Sequence, residues 1–222
     1  RLGYINAMAN HVAESEYVSI LMDGARLLSP GILYSMLCAF GKYDDPFVYT
    51  LPLHLGPGNQ SQTMLDGYAG YDQETEDALL DSVPWQEDGY QLFDISSHCG
   101  ALRDPQKGFY GGLTESCFFA MKASSWAKLG GYNEGFKSPS GGYCNLDLFN
   151  RAQQAMQPVC LLGEATFHQF HGGLSANVPR EERPTEMWKK EYEDVVGEPF
   201  KTEWVKPEYY GEIRPEAEWA FK

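Results

Sequence analysis

Positive charge is scarce in this chain. Seventeen Lys and Arg stand against 31 Asp and Glu, a formal net charge of −14 over 222 residues, and so strong an anion works against wrapping nucleic acid or binding an acidic membrane. Any phosphate ligand therefore needs a local cation. Long apolar runs are also missing, since nothing approaches the roughly 18 consecutive apolar residues of a spanning helix. The five cysteines, at 38, 99, 117, 144 and 160, include no CxxC pair, no histidine sits at zinc-finger spacing, and an odd number excludes complete internal pairing. Reduced cytoplasm is the economical reading. No P-loop, no GxGxxG after a strand, no GxSxG and no HExxH occurs, which lowers nucleotide hydrolysis, dinucleotide redox chemistry, serine hydrolysis and zinc proteolysis.

What is present is a globular composition, 43% hydrophobic and 14% aromatic, of a length that suits one domain. Leu2, Ile5, Ala9 and Val12 recur at helical spacing from the first residues without a capping residue, which suggests that an upstream segment is absent. Tyr17 to Met22 is a short apolar run of the kind buried on both faces of a sheet, stopping at Asp23-Gly24. Ser29-Pro30 supplies an N-cap and a first-turn proline for a helix through Ile32, Leu33, Met36, Leu37 and Phe40, with Gly41 as its stop. Pro46 to Leu51 reads as the next strand, Leu55 to Asp72 as a long polar loop and Glu74 to Asp81 as a helix. Tyr90 to Ile95 and Ser116 to Lys122 read as strands, and Ala123 to Leu129 as a short helix ended by Gly130-Gly131. A helix from Asn145 through Met156 puts Asp147 in its first turn. Short strands at Pro158–Leu162 and Ala165–Phe170 close the core. Arg183 to Val196 reads as an amphipathic helix with Met187, Trp188, Tyr192 and Val195 inward. The alternation predicts an α/β fold with a mostly parallel central sheet flanked by helices. Residues 1–177 form the core and 178–222 a helical and irregular extension packed on it.

Three clusters could carry chemistry. Asp23 ends a buried strand, where open α/β sheets bind ligands, although Asp-Gly is also ordinary turn chemistry. His168 and His171 lie near a strand end beside Gly172-Gly173; imidazole with carboxylate suits a divalent ion such as Mn²⁺ or Mg²⁺, while paired histidines serve as readily as hydrogen-bonding residues. Two glycine pairs, Gly130-Gly131 and Gly141-Gly142, bracket a loop before Asp147, which is either a general base toward a hydroxyl or an ordinary helix-start carboxylate. Glu115-Ser116 could place a further carboxylate at the same cleft or a buried structural acceptor. Asn59, Gln60 and Gln62 lie in the polar loop, a surface loop by default.

In this order the motifs resemble the GT-A class of nucleotide-sugar glycosyltransferases, in its family-2-like branch. YVSILMDGARLLSPGIL, from Tyr17 to Leu33, is similar to that family's strand, acidic turn and Pro-Gly helix start, where the acidic turn holds a divalent metal and the donor diphosphate. LGGYNEGFKSPSGGYCNLDLFNR, from Leu129 to Arg151, looks like the acceptor-side segment whose helix-start acid is the usual base. GEATFHQFHGGLSAN, from Gly163 to Asn177, is similar to the late His-containing stretch that completes the metal site. Two departures stand out: the turn here reads Asp23-Gly24-Ala25, with one carboxylate where the family commonly has two, and the family's first strand, helix and second strand do not precede it.

The resemblance implies a single GT-A, Rossmann-like domain that moves a sugar from a nucleoside diphosphate sugar to a hydroxyl acceptor with inversion. Asp147 and Glu115 are its candidate catalytic residues, and Asp23, His168 and His171 its metal ligands. Asp23, Gly24, Ala25, Arg26, Lys137, Gly141 and Gly142 contact the donor, with Arg26 and Lys137 screening phosphate charge. Under the same resemblance Asn59, Gln60 and Gln62 could hydrogen-bond a sugar acceptor. No nucleic acid and no integral membrane segment is expected. The rivals are a non-catalytic nucleotide- or carbohydrate-binding module of the same fold and, more distantly, a metal-dependent hydrolase.

Overall fold

The computed structural model describes residues 2–11, 14–22, 25–58, 71–173, 178 and 180–221. It is a mixed α/β structure, and the sheet departs from the expected mostly parallel arrangement. Five strands form the main path in the order β1 (Tyr17–Leu21), β5 (Phe118–Lys122), β3 (Pro46–Leu55), β6 (Gln157–His168) and β2 (Arg26–Leu28), with β4 (Ser96–His98) beside β3 and β7 (Glu208–Tyr210) beside β6. Only β3–β6 and β6–β7 pair parallel; β1–β5, β3–β5, β3–β4 and β2–β6 are antiparallel. The correction has a topological cause, because β5 is entered from the irregular stretch after β4 rather than from a crossover helix.

Alternation along the strands divides the core. Val48, Phe118, Ala120, Val159 and Leu161 join Ile32, Met36, Ala39 and Phe40 of α2 (Ile32–Lys42) on one face. Phe47, Tyr49, Phe119, Met121 and Cys160 face the other way, toward Trp126 of α4 (Ala123–Leu129) and Leu148, Phe149 and Ala152 of α5 (Cys144–Ala155). The remaining helices are α1 (Leu2–His11), α3 (Gln73–Asp81), α6 (Thr185–Val196) and α7 (Glu218–Phe221). No described helix is long and apolar enough to cross a membrane.

Several local expectations change. β1 is not buried on both faces: Val18 is buried and Leu21 exposed, because β1 pairs with β5 alone among the described strands. Residues 89–95 form a 3₁₀-helix, not a strand, after Asp88 accepts a hydrogen bond from the Tyr90 amide at 3.1 Å. The two short strands expected at 158–170 are one strand, β6, whose register with β3 shifts between Tyr49 and Leu51. Met187 lies exposed on α6, whereas Trp188 and Tyr192 are buried. The α2 N-cap is Gly31 and not Ser29, whose hydroxyl instead donates to the buried Glu164 carboxylate and accepts from the Ala165 amide. All five cysteines are free.

Candidate functional site

β1, β3 and β6 run in one direction, and a cleft of about 810 Å³ opens where β1 and β6 end. Strand register gathers its polar groups. Arg26 of β2 lies opposite His168 of β6, which lies opposite His54 of β3, so the three side chains share a face. The His54 and His168 rings stack with centroids 4.9 Å apart. His168 is almost wholly buried and His171 exposed, and their Nε2 atoms approach to 3.0 Å. Glu76 of α3 fixes the chain between them, accepting from the Phe170 amide at 2.7 Å and the Tyr71 hydroxyl at 3.2 Å.

The facing wall comes from the segment before α5. Lys137, Ser138, Ser140, Gly141, Cys144 and Asn145 line the cleft with Glu115 and Cys117. Ser140 and Gly141 have φ of +60° and +80°, left-handed values that a glycine adopts without steric cost. Glu191 of α6 pins this loop from behind, accepting from the Lys137 and Ser138 amides at 2.7 and 2.8 Å. Gly142 faces that helix rather than the cleft, since a Cβ there would meet Glu191 and the Trp188 ring.

Electrostatics inside the cleft are set by burial and by Arg26. Burial first, then the charges of Arg26 and Arg183, push His54 down to about 3. Burial, Arg26, His54 and His171 push His168 down to about 2, leaving it neutral at physiological pH. Burial raises the pKa of the Glu115 carboxyl, and Arg26 only partly offsets this. Burial likewise pushes the Cys99 thiol up to about 11 and Cys144 up to about 12, so neither is a ready thiolate nucleophile.

The cleft thus brings together six of the sequence-predicted residues: Glu115, Arg26, Lys137, Gly141 and the His168–His171 pair lie on it. Ala25 is beside it, its carbonyl accepting from the Gln169 amide at 2.9 Å. Asp23 and Gly24 lie outside the described residues, as do Asn59, Gln60 and Gln62. Asp147 is not brought to the cleft. It is buried on the far side of the first turn of α5, 2.7 Å from the Arg151 guanidinium, which also donates to the carbonyls of Leu129 and Gly131. Asn145 lines the cleft in its place. The strand expected at Pro46 to Leu51 runs on to Leu55 and so carries His54, which the sequence analysis does not single out; the alternation of Leu51, Leu53 and Leu55 was the available signal.

Among the described residues, no three His, Cys, Asp or Glu side chains converge as a metal site. The histidine pair nonetheless fits two positions of one. Ligands at ~2.1 Å and at right angles around an octahedral ion are about 3.0 Å apart, and neutral imidazoles are the form a metal takes. A direct N–H···N hydrogen bond between the rings accounts for the same distance. Comparison of the chain with protein-family models, curated proteins and solved structures finds no match.

Proposed function

We propose that the chain is a metal-dependent glycosyltransferase of GT-A, Rossmann-like type, moving a sugar from a nucleoside diphosphate sugar to a hydroxyl acceptor with inversion. The observation that carries this reading is the meeting, in one cleft, of an imidazole pair 3.0 Å apart with a half-buried carboxylate and two cations. His168 and His171 would hold Mn²⁺ or Mg²⁺ together with Asp23, and the ion would neutralise the leaving diphosphate. Arg26 and Lys137 add the positive charge that a protein of net charge −14 otherwise lacks for phosphate.

Glu115 takes the role of base. Desolvation makes its carboxylate a stronger proton acceptor than an exposed one. It removes the proton from the acceptor hydroxyl as the new bond to the anomeric carbon forms. The bond from that carbon to the diphosphate oxygen breaks, and the leaving group keeps the electron pair. Asp147, already committed to Arg151, holds the wall in shape instead. The placement of Asn145 where an acid was expected favours the second reading, a nucleotide- or carbohydrate-binding module of the same fold that transfers nothing.

Thermal unfolding separates the two from a protein with neither property. Mn²⁺ and uridine or guanosine diphosphate are expected to raise the melting temperature more together than the sum of their separate effects, by linkage. His168→Ala is expected to abolish the metal-dependent part. The absence of any nucleotide response would remove both readings, and a response without product from any acceptor would leave the binding module.

A further inference from the structure

His168 ends β6 and His171 lies in the irregular chain beyond it, so their Nε2 atoms meet at 3.0 Å only if the turn between them is held. Both intervening amides are tied to other elements. The Gln169 amide donates to the Ala25 carbonyl at 2.9 Å, and the Phe170 amide to the Glu76 carboxylate at 2.7 Å. Glu76 is presented by α3, whose start is fixed where the Asp72 side chain accepts from the Thr75 amide at 2.9 Å. The Glu76 side chain is fully buried, which is unfavourable for a carboxylate unless hydrogen bonds compensate; the Tyr71 hydroxyl donates a second one at 3.2 Å. The Tyr71 ring meets Phe170 edge-on with centroids 6.3 Å apart, and a Cβ at Gly56 would stand 2.8 Å from that ring. One clamp therefore joins the exit of β3, the start of α3 and the turn between the histidines.

His171 is placed from its other side by the side chain that residue 173 lacks. A Cβ on Gly173 would stand 2.5 Å from Cε1 and 2.9 Å from Nε2 of the His171 ring. Gly173 is not in the left-handed region, so alanine suits its backbone and only the space is at stake. We propose that Glu76 and Gly173 are positioning residues of the histidine pair: Glu76 holds the Phe170 peptide, Gly173 leaves His171 its place, and together they keep both rings within reach of one divalent ion. This rests on the metal-binding part of the proposed function for the ion alone, since the pairing of the rings is present without it. Partners that orient a metal ligand contribute about 10–100-fold to metal affinity.

The test titrates the full chain with Mn²⁺ alone, reading the free ion by electron paramagnetic resonance, and follows the imidazole N–H between the two rings by ¹H–¹⁵N NMR in metal-free protein. Glu76→Ala is expected to weaken Mn²⁺ binding at least about tenfold and to lose the N–H signal. Glu76→Gln keeps a side-chain oxygen for the Phe170 amide and is expected to keep the signal and to bind within about threefold of wild type. Gly173→Ala, at a partly exposed position, is expected to show both losses at an unchanged melting temperature, and it decides alone if Glu76→Ala does not fold. Glu164→Ala, which removes another buried carboxylate from the middle of β6, is the control and is expected to keep both affinity and signal. Wild-type affinity in Gly173→Ala overturns the proposal, as does a loss in Glu164→Ala or Glu76→Gln as large as in Glu76→Ala. A wild type that binds no Mn²⁺ while the signal still disappears in Glu76→Ala and Gly173→Ala strikes the metal reading and leaves the positioning roles standing; the same result with the signal unchanged overturns both.

Discussion

Asp147 and Glu115 both bear on the Cys144 thiol, yet the two carboxylates have opposite surroundings. Asp147 lies within 2.7 Å of Arg151, whose guanidinium is held in turn by two backbone carbonyls. Glu115 faces open cleft, has no ion pair among the described residues and feels Arg26 only as a charge at a distance. A carboxylate surrounded by permanent donors has little left to offer a substrate; one that is desolvated and underpaired is costly to the fold and available for chemistry.

The sharpest way to break this comparison is to neutralise each acid. Glu115→Gln is expected to lower turnover about 10³-fold, within the usual contribution of a general base, while removal of the desolvated charge leaves stability in urea at neutral pH somewhat above wild type. Asp147→Asn is expected to do the reverse. Removing one partner of a buried pair costs several kcal/mol, and because Arg151 keeps about a third of its side chain exposed the expected loss is ~2 kcal/mol. Turnover per folded molecule then remains within a few-fold of wild type. Turnover that disappears in Asp147→Asn and survives in Glu115→Gln would exchange the two roles.

A second contrast lies along β6 itself, between its open end at His168 and its buried middle at Glu164. Ser29 and Tyr90 donate to the Glu164 carboxylate, the latter at 3.0 Å, and Thr50 donates to its carbonyl. Gly31, where α2 begins, sits so close that a Cβ would collide with the same carboxylate and with the Tyr90 hydroxyl. This carboxylate ties α2 to the sheet and takes no part in the cleft. Glu164→Ala strips the acceptor from two buried hydroxyls and is expected to cost ~3 kcal/mol in denaturant unfolding, without changing the additional stabilisation by Mn²⁺ and nucleotide.

These contrasts explain which parts of the molecule were legible in the sequence. The spacing of Ile32, Met36 and Phe40 announces α2, although Leu33 and Leu37, read in the same stripe, are exposed, and the Phe118–Met121 run announces β5. The cap was not legible, since Ser29 is diverted to a glutamate 135 positions away. Strand direction was not legible either, because β5 takes its antiparallel course from the irregular segment that delivers it. For the candidate site, the histidine pair and Glu115 were singled out by residue type and position near strand ends, and Arg26 and Lys137 through the family resemblance; all five line the one cleft. Asp147 was placed in the first turn of its helix, and there its side chain pairs with Arg151 instead of lining the cleft. Residues 145 and 147 lie roughly opposite each other on a helix, and Arg151 at i+4 was the local clue that Asp147 had a partner.

The smallest expected effect, in the metal-free protein, sets the histidines against Glu115 as pH falls. His54 and His168 have folded pKa values of about 3 and about 2, below their unfolded value of 6.5. The unfolded chain therefore binds more protons below pH 6.5, and stability contributed by the neutral rings is present above that pH and lost below it. Glu115 has the opposite sign. Its folded pKa is raised above 4.5, so the folded state binds the extra proton between 4.5 and the raised value, and lowering the pH through that window adds stability. The two trends oppose each other above pH 4.5, and only the histidine trend continues below it, which predicts a shallow decline followed by a steep one. Glu115→Gln removes its share of the opposing trend and leaves that of Glu76, whose carboxyl is likewise raised by burial. Its stability, from urea midpoints taken at half-unit intervals of pH, is expected to fall more steeply than wild type above pH 4.5, by about 1 kcal/mol per pH unit, and in parallel with wild type below it. Parallel curves across the whole range would place Glu115 in water instead of in a desolvated cleft.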